Sequence, residues 1–418
     1  MLPNLFQKSK DAAQQRQERS RRLKQSLAQH PAQVTPVPDG QPRHPIDYFL
    51  LYLVALLTLV GVISILTASA HVAQAQLGDA IYYFRKQLFG VVVGAVAMTV
   101  AARINLYQLA RWIKPLMILT IVLLVCTHIP GLGVTAKGSS RWLNIPGISF
   151  QPSEIAKPML VLYLAAILGN ARFALLSLKD KLWAFMPVFA IMFIVLRQPD
   201  LGTTIVLGTT VLMICFVAGL PYRYVASIIL FGLAGAGLLS WSTPYQQARI
   251  TSWLDPWSDP QNTGFHLIQS MIAIGSGGVT GKGFGQSVQK LFYLPEQHTD
   301  FIFAVIAEEF GLIGCLVLFF LFCALTQRGV SIAFRSQTPY LKLLAIGLAT
   351  MISMQALVNL GVVTGTIPTT GLTLPFISFG SSSLVVNLAA MGLLLNVSRY
   401  LPVRRENIRP TGRQERVS

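Results

Sequence analysis

Residues 48–68 read YFLLYLVALLTLVGVISILTA and carry no charged side chain. As a helix, this run reaches roughly 31 Å, about the thickness of a bilayer's hydrocarbon slab. The apolar core of a secretory leader spans only about 7–15 residues, so the run reads as an anchor. Comparable runs recur along the chain, separated by shorter polar stretches. They predict about ten spans, at 48–68, 88–102, 112–127, 152–169, 183–196, 203–220, 225–241, 300–324, 341–363 and 377–397. Composition agrees: 53% of residues are hydrophobic and 12% charged, where an ordinary soluble domain carries about 25% charge. The expected fold class is an all-α polytopic membrane protein. A bilayer leaves little alternative, because backbone polar groups there must be satisfied within the segment.

The net charge of +17 invites a nucleic-acid reading, but its distribution opposes one. Lys and Arg gather in the two tails, 1–46 and 401–418, and in alternate loops, the pattern that orients a membrane protein. The bias predicts both ends inside the cell (N-in, C-in), flanking one membrane domain at 47–400. Arg85 and Lys86 fall on the outer side and break the bias. Cys126, Cys215, Cys315 and Cys323 all lie in apolar runs without metal or redox spacing, and read as packing residues.

Two segments are irregular. The apolar part of the fifth span, 183–196, reaches only about 21 Å and contains Pro187, so it must snorkel its ends, thin the bilayer or border a polar cavity. Residues 242–299 form a large periplasmic loop between the seventh and eighth spans, with an amphipathic piece near 266–274. Its glycines, Gly275 to Gly285, resemble a phosphate loop superficially. The pattern fails at Gly283, where Ser or Thr is required, and no strand precedes it. No nucleotide cofactor is expected.

Charge at or inside the membrane marks the chemistry. Glu154 and Lys157 sit three apart at the start of the fourth span and share one face. They make a structural ion pair, or a pocket where Lys157 meets an anionic head group. In Arg197-Gln198-Pro199-Asp200-Leu201-Gly202, Asp200 suits the cap of the sixth span and Arg197 the end of the fifth. Leu294-Pro295-Glu296-Gln297-His298-Thr299-Asp300 leads into the eighth span. Asp300 is expected to accept N–H bonds at a helix start, or to act as a base or cation ligand. Glu308-Glu309, further along that span, needs cations, protonation or water. The last loop, 364–375, with Ser378 just beyond it, is rich in Gly, Pro and Thr and suggests a re-entrant segment lining a cavity. On these features alone a transporter would lead.

Together these motifs closely resemble the shape, elongation, division and sporulation (SEDS) family of membrane glycosyltransferases. The resemblance runs over about 47–400. It rests on Lys137-Gly138-Ser139-Ser140-Arg141-Trp142, Phe150-Gln151-Pro152-Ser153-Glu154 with Lys157, Gln198-Pro199-Asp200-Leu201-Gly202, Leu294 to Phe303, and Gly371-Leu372-Thr373-Leu374-Pro375, in that order. The family often has a second glycine after Gly380; here it is Ser381. The long basic first tail and Lys290-Leu291-Phe292-Tyr293-Leu294-Pro295-Glu296 look like the cell-division branch.

The resemblance implies an enzyme that polymerises lipid II into β-1,4 glycan on the periplasmic side of the inner membrane, at the division septum. It implies Asp300 as the essential carboxylate, acting as base or holding a divalent cation such as Mg or Mn. Lys157 and Arg197 are candidates for the pyrophosphate. Glu154, Asp200, Glu308, His298 and Ser378 are candidates for support. Implied partners are a class B penicillin-binding transpeptidase of the FtsI type and regulators such as the FtsQ-FtsL-FtsB complex and FtsN. A lipid II flippase and a non-catalytic divisome scaffold are the rival readings.

Overall fold

In the computed structural model, the apolar runs that lie within the described residues are helices, and several outlast their apolar stretch. The structure describes residues 45–136, 139–145, 148–223, 226, 230, 237, 244–290 and 297–401. The first helix, α1 (Tyr48–Leu77), starts where the Asp47 carboxylate accepts the Leu50 amide at 3.0 Å. Arg328 pairs with the same carboxylate at 2.7 Å. The helix stops at Gly78, left-handed at φ 71°, a conformation that suits glycine. Between 68 and that stop no Pro or Gly interrupts the chain, so the helix runs on past the expected boundary.

Helix α2 (Tyr82–Ala101) begins earlier than expected and takes in both anomalous cations. Arg85 pairs with Asp79, and Lys86 lies 4.9 Å from the Tyr82 ring centroid. Helix α3 (Leu106–Cys126) is capped by Asn105. A departure from the all-α expectation follows. Strands β1 (Gly133–Ala136), β2 (Ser139–Ile145) and β3 (Ile148–Phe150) form a small antiparallel sheet in that order, pairing Gly133 with Leu143 and Leu143 with Phe150.

Next come α4 (Pro152–Leu168), α5 (Leu178–Arg197) and α6 (Leu201–Val217). Helix α5 corrects the expectation of a short fifth span. Ser177 caps it, and the charged turn at Lys179-Asp180-Lys181 belongs to the helix, so its 20 residues reach about 30 Å. The expected seventh span, 225–241, lies almost wholly outside the described residues. The large loop holds α7 (Pro244–Leu254) and α8 (Phe265–Gly277), and the chain ends in α9 (Ile302–Arg335), α10 (Pro339–Val363) and α11 (Ser381–Ser398).

Six of these helices, α1, α2, α3, α9, α10 and α11, are long and apolar enough to cross a membrane. Helix α10 is largely enclosed, packed against α4, α6 and α9. Helix α11 lies along α2, where glycines let the two approach closely. A Cβ at Gly94 would stand 2.4 Å from Leu388 Cδ1, and one at Gly392 would stand 2.3 Å from the Met98 oxygen. Small residues at such crossings replace a hydrophobic driving force that lipid does not provide.

Helix α9 is two helices joined across a kink. At Gly311 the backbone turns to φ 64°, ψ −161°. The half before the break, Ile302 to Glu309, is buried throughout. The half after it retains about 36 Å of helix, enough to span a bilayer by itself.

Candidate functional site

Three of the sequence motifs and the last loop converge at one end of the bundle. Asp200 caps α6: its carboxylate accepts the Thr203 amide at 3.1 Å and the Thr203 hydroxyl at 3.0 Å. Gln151, from the start of α4, donates to the same carboxylate at 3.4 Å. Arg141, from β2, donates to the Gln198 and Pro199 carbonyls at 3.0 and 2.7 Å, with its guanidinium 3.8 Å from Asp200. Two residues after Asp200 comes Gly202, where a Cβ would collide with Leu372 and Thr370. The glycine of that motif is thus needed for the last loop to lie against the start of α6.

That loop is buried from Leu374 to Ser378, as a re-entrant segment requires. It presses on α1 at Gly61, where a Cβ would stand 2.4 Å from the Phe376 oxygen. Asn359 on α10 fixes it, donating to the Leu372 carbonyl at 2.7 Å and to the Asp300 carbonyl at 2.8 Å. From the large loop, Arg249 donates to Thr369 O at 3.1 Å, Trp253 to Gly365 O at 2.9 Å and Ser270 to Val363 O at 2.7 Å.

Asp300 is therefore tied by its own backbone to the last loop. It is partly exposed, and its carboxylate lies beside Gly371, 3.6 Å from where that residue's Cβ would be. One expectation is corrected here. The helix starts at Ile302 with Phe301 at the cap position and no side-chain cap bond. Asp300 sits in the turn one residue before that cap position.

Glu154 and Lys157 lie behind the last loop. The Lys157 ammonium is fully buried, 2.8 Å from Glu154 and 2.6 Å from the Gln355 oxygen. Gln355 passes the link on by donating to the Thr373 carbonyl at 3.0 Å. The ion-pair reading describes this arrangement, and the ammonium is closed off from the surface.

The remaining candidates separate. The exposed Arg197 side chain lies over the Phe193 ring, 6.0 Å from its centroid, and does not join the buried cluster. His298 packs on Tyr83, with centroids 4.5 Å apart, and its carbonyl accepts the Phe379 amide at 2.8 Å. Ser378 closes a turn, its hydroxyl accepting the Leu374 amide at 2.8 Å.

Glu308 belongs to a second centre under the large loop. Its carboxylate accepts from Lys282 at 2.7 Å, Ser287 at 2.5 Å, Ser276 at 3.3 Å, and the Val288 and Gln289 amides at 3.2 Å each. Glu309 pairs with the buried Lys290 at 3.1 Å. Of the cations, protonation or water that the acidic pair was expected to need, the loop supplies cations.

Sequence reasoning missed Arg141, Gln355 and Asn359 as site residues. Arg141 stood inside a quoted motif, but the sheet that aims it was read as a loop. The two amides sit in an ordinary apolar span, and only their polarity there hinted at a partner.

Among the described residues no three His, Cys, Asp or Glu side chains gather as a metal group. Asp300, outside any such group, suits a cation shared with a phosphate-bearing substrate, as magnesium sites often are, better than an all-protein cage.

The chain can be placed among known proteins. Residues 47–402 match the FtsW/RodA/SpoVE family, described as cell cycle proteins. The probable peptidoglycan glycosyltransferase FtsW of Geobacter metallireducens is 41% identical over 353 residues, covering 84% of this chain and 94% of that protein. Stage V sporulation protein E of Bacillus subtilis is 42% identical over 359 residues, covering 85% and 97%. A chain from a peptidoglycan synthase complex that coordinates polymerization and crosslinking superposes with TM-score 0.69 at 30% identity, covering 85% of this chain and 98% of that one. The rod shape determining protein RodA of Thermus thermophilus gives 0.62 at 28%, covering 85% and 97%. With its motifs gathered at one end of the bundle and its length matched almost throughout, this chain belongs to the FtsW/RodA/SpoVE family of SEDS membrane proteins.

Proposed function

We propose that the chain is a peptidoglycan glycosyltransferase of the FtsW type, which polymerises lipid II and releases undecaprenyl pyrophosphate. It is a multi-pass protein of the inner membrane. The observation that carries the reading is the position of Asp300. A partly exposed carboxylate stands against the Gly371 turn, at the end of the bundle where three further motifs meet.

Asp300 takes the proton from the 4-hydroxyl of the acceptor's N-acetylglucosamine as that oxygen attacks the donor's muramyl anomeric carbon. The bond to undecaprenyl pyrophosphate breaks, and the α-linked donor becomes a β-1,4 link. Such a step needs a base and positive charge near the leaving group. Arg197, exposed at the end of α5, is the candidate cation for the leaving group. Lys157 acts from behind, through Gln355, by holding the last loop in place. Asp200, Glu154, His298 and Ser378 support the loops around it. Where a divalent cation binds, Asp300 and the pyrophosphate oxygens would hold it, and it would supply further charge for the leaving group.

The six long apolar helices, with α4, α5, α6 and the run at 225–241, make up ten spans. Both tails, 1–46 and 401–418, then share the cytoplasmic side, and the 242–299 loop and Asp300 face the periplasm. By its likeness to the cell-division branch, the protein works at the septum with a class B transpeptidase of the FtsI type, under regulators such as FtsQ-FtsL-FtsB and FtsN.

The test is polymerisation of labelled lipid II by the purified protein, with and without its transpeptidase. Asp300→Asn is expected to leave the thermal melt in place and to reduce glycan synthesis by at least about 100-fold, within the usual range for a lost general base. A folded variant that polymerises at the normal rate rules out the catalytic role. Lipid II movement between leaflets without glycan formation would favour the flippase. Normal growth of a strain carrying Asp300→Asn would favour the scaffold.

A further inference from the structure

The glycine-rich segment 277–283 and the break in α9 are two halves of one device. In an unbroken helix the amides of Leu312 and Ile313 would donate to the carbonyls of Glu308 and Glu309. Here they donate to Gly278 and Val279, at 2.9 and 3.2 Å. The freed carbonyls of Glu308 and Glu309 accept instead from Lys282 and Gly283, both at 3.0 Å. The loop has inserted itself into the helical ladder and satisfied both sides of the break, a recognised cause of a sharp kink.

Glycine is needed at each point of approach. A Cβ at Gly277 would stand 2.1 Å from the Ala307 oxygen, one at Gly281 would stand 2.2 Å from the Glu309 oxygen, and one at Gly311 would stand 2.4 Å from the Gly281 nitrogen.

Side chains lock what the backbone starts. The fully buried Glu308 carboxylate gathers five donors from residues 276–289, and Glu309 holds Lys290. The clamped half-helix begins at Ile302, two residues after Asp300. Its other end is fixed by the bond from Asn359 to the Asp300 carbonyl. A rigid segment of about 12 Å thus connects the clamp to the carboxylate.

We propose that Glu308 is a positioning residue. By anchoring the 276–290 loop in the Gly311 break, it sets the direction of the half-helix and so the aim of Asp300 at the Gly371 turn. The inference rests on the catalytic reading of Asp300. Unpairing any one donor loosens the clamp without touching substrate, so the chemical step suffers while lipid II binding persists.

The experiment uses the full chain, purified with its transpeptidase and supplied with labelled lipid II. Rates are normalised to folded protein from a thermal melt run beside each assay. Glu308→Gln keeps the shape but not the charge. It is expected to lower kcat at least tenfold with KM within about twofold. Lys282 is about one-third exposed, so Lys282→Met should fold even if Glu308→Gln does not. It is expected to lower kcat at least threefold, and Lys282→Arg to restore most of the loss.

Wild-type normalised kcat in both Glu308→Gln and Lys282→Met overturns the proposal. So does a loss that vanishes on normalisation, or one carried by KM. Where Glu308→Gln does not fold, Lys282→Met decides alone. An active Asp300→Asn would remove the catalytic reading instead, so the two failures are distinguishable.

Discussion

Two carboxylate–lysine centres occupy buried helix segments of this protein, and they are built from opposite kinds of information. Glu154 and Lys157 sit three apart on α4, so helix geometry alone makes them neighbours. Glu308 and Lys282 are 26 residues apart, and Glu309 and Lys290 are 19 apart. Those pairs exist only because a loop folds back into a broken helix. The local pair braces the last loop from behind, through Gln355. The distant pairs hold the half-helix that begins beside Asp300. Buried charge in a membrane helix signals that a partner exists, but where the partner comes from depends on the backbone around it.

The largest effect tests the local pair. Lys157→Ala leaves the Glu154 carboxylate buried without its cation, and breaking a buried pair from one side costs about 3–5 kcal/mol. The melt should fall sharply. The double variant Glu154→Gln, Lys157→Met removes both charges and should recover much of that loss. Equal destabilisation in single and double variants would show that the pair is not a unit.

A smaller effect tests the distant centre through its backbone. Gly281 lies at φ +79°, and a Cβ there meets the Glu309 carbonyl. Gly281→Ala should destabilise by about 2 kcal/mol and should slow polymerisation further than its folded fraction explains. Gly285→Ala is the control. Its φ of +75° is equally unusual for alanine, but open space surrounds it, so its cost should be smaller. If the two behave alike, backbone conformation rather than the clamp sets the cost.

The smallest effect concerns a carboxylate of the same loop that is not buried. The Thr263 amide, with the Asn262 side chain, holds Asp259 below the usual carboxylate range. A lowered folded-state pKa contributes stability above the unfolded value and loses it as pH falls through the folded one. The difference in melting temperature between wild type and Asp259→Asn should therefore be small and constant from about pH 5 to 8, and should close only below about pH 4. A difference that changes near neutrality would mean another group is being read.

Much of the site was legible before the fold was known. Asp200 was expected to cap its helix and does. The pair on α4 was legible because periodicity fixes it. The last loop was expected to be re-entrant from its Gly, Pro and Thr; it mixes exposed and buried residues and is continuously buried only from Leu374 to Ser378. The errors also have physical causes. Asp300 was expected at the cap because polar residues before an apolar run usually cap it, but the turn it shares with Phe301 displaced the start. The fifth span was expected to be short because apolar length was taken for helix length, and a capped charged turn extends it. Arg141 was passed over because a three-stranded sheet between spans leaves no strong pattern.

The sequence by itself determined that the chain spans a membrane many times, which ends carry the positive charge and that Glu154 and Lys157 are neighbours, because hydropathy, charge and i,i+3 spacing are local properties. Only the tertiary structure decided that Arg141 grips the turn before α6, that Asn359 ties Asp300 to the last loop, and that glycines 277, 281 and 311 are points where one backbone enters another. Those contacts join residues far apart along the chain, and their existence depends on the close approach of elements that no local pattern records.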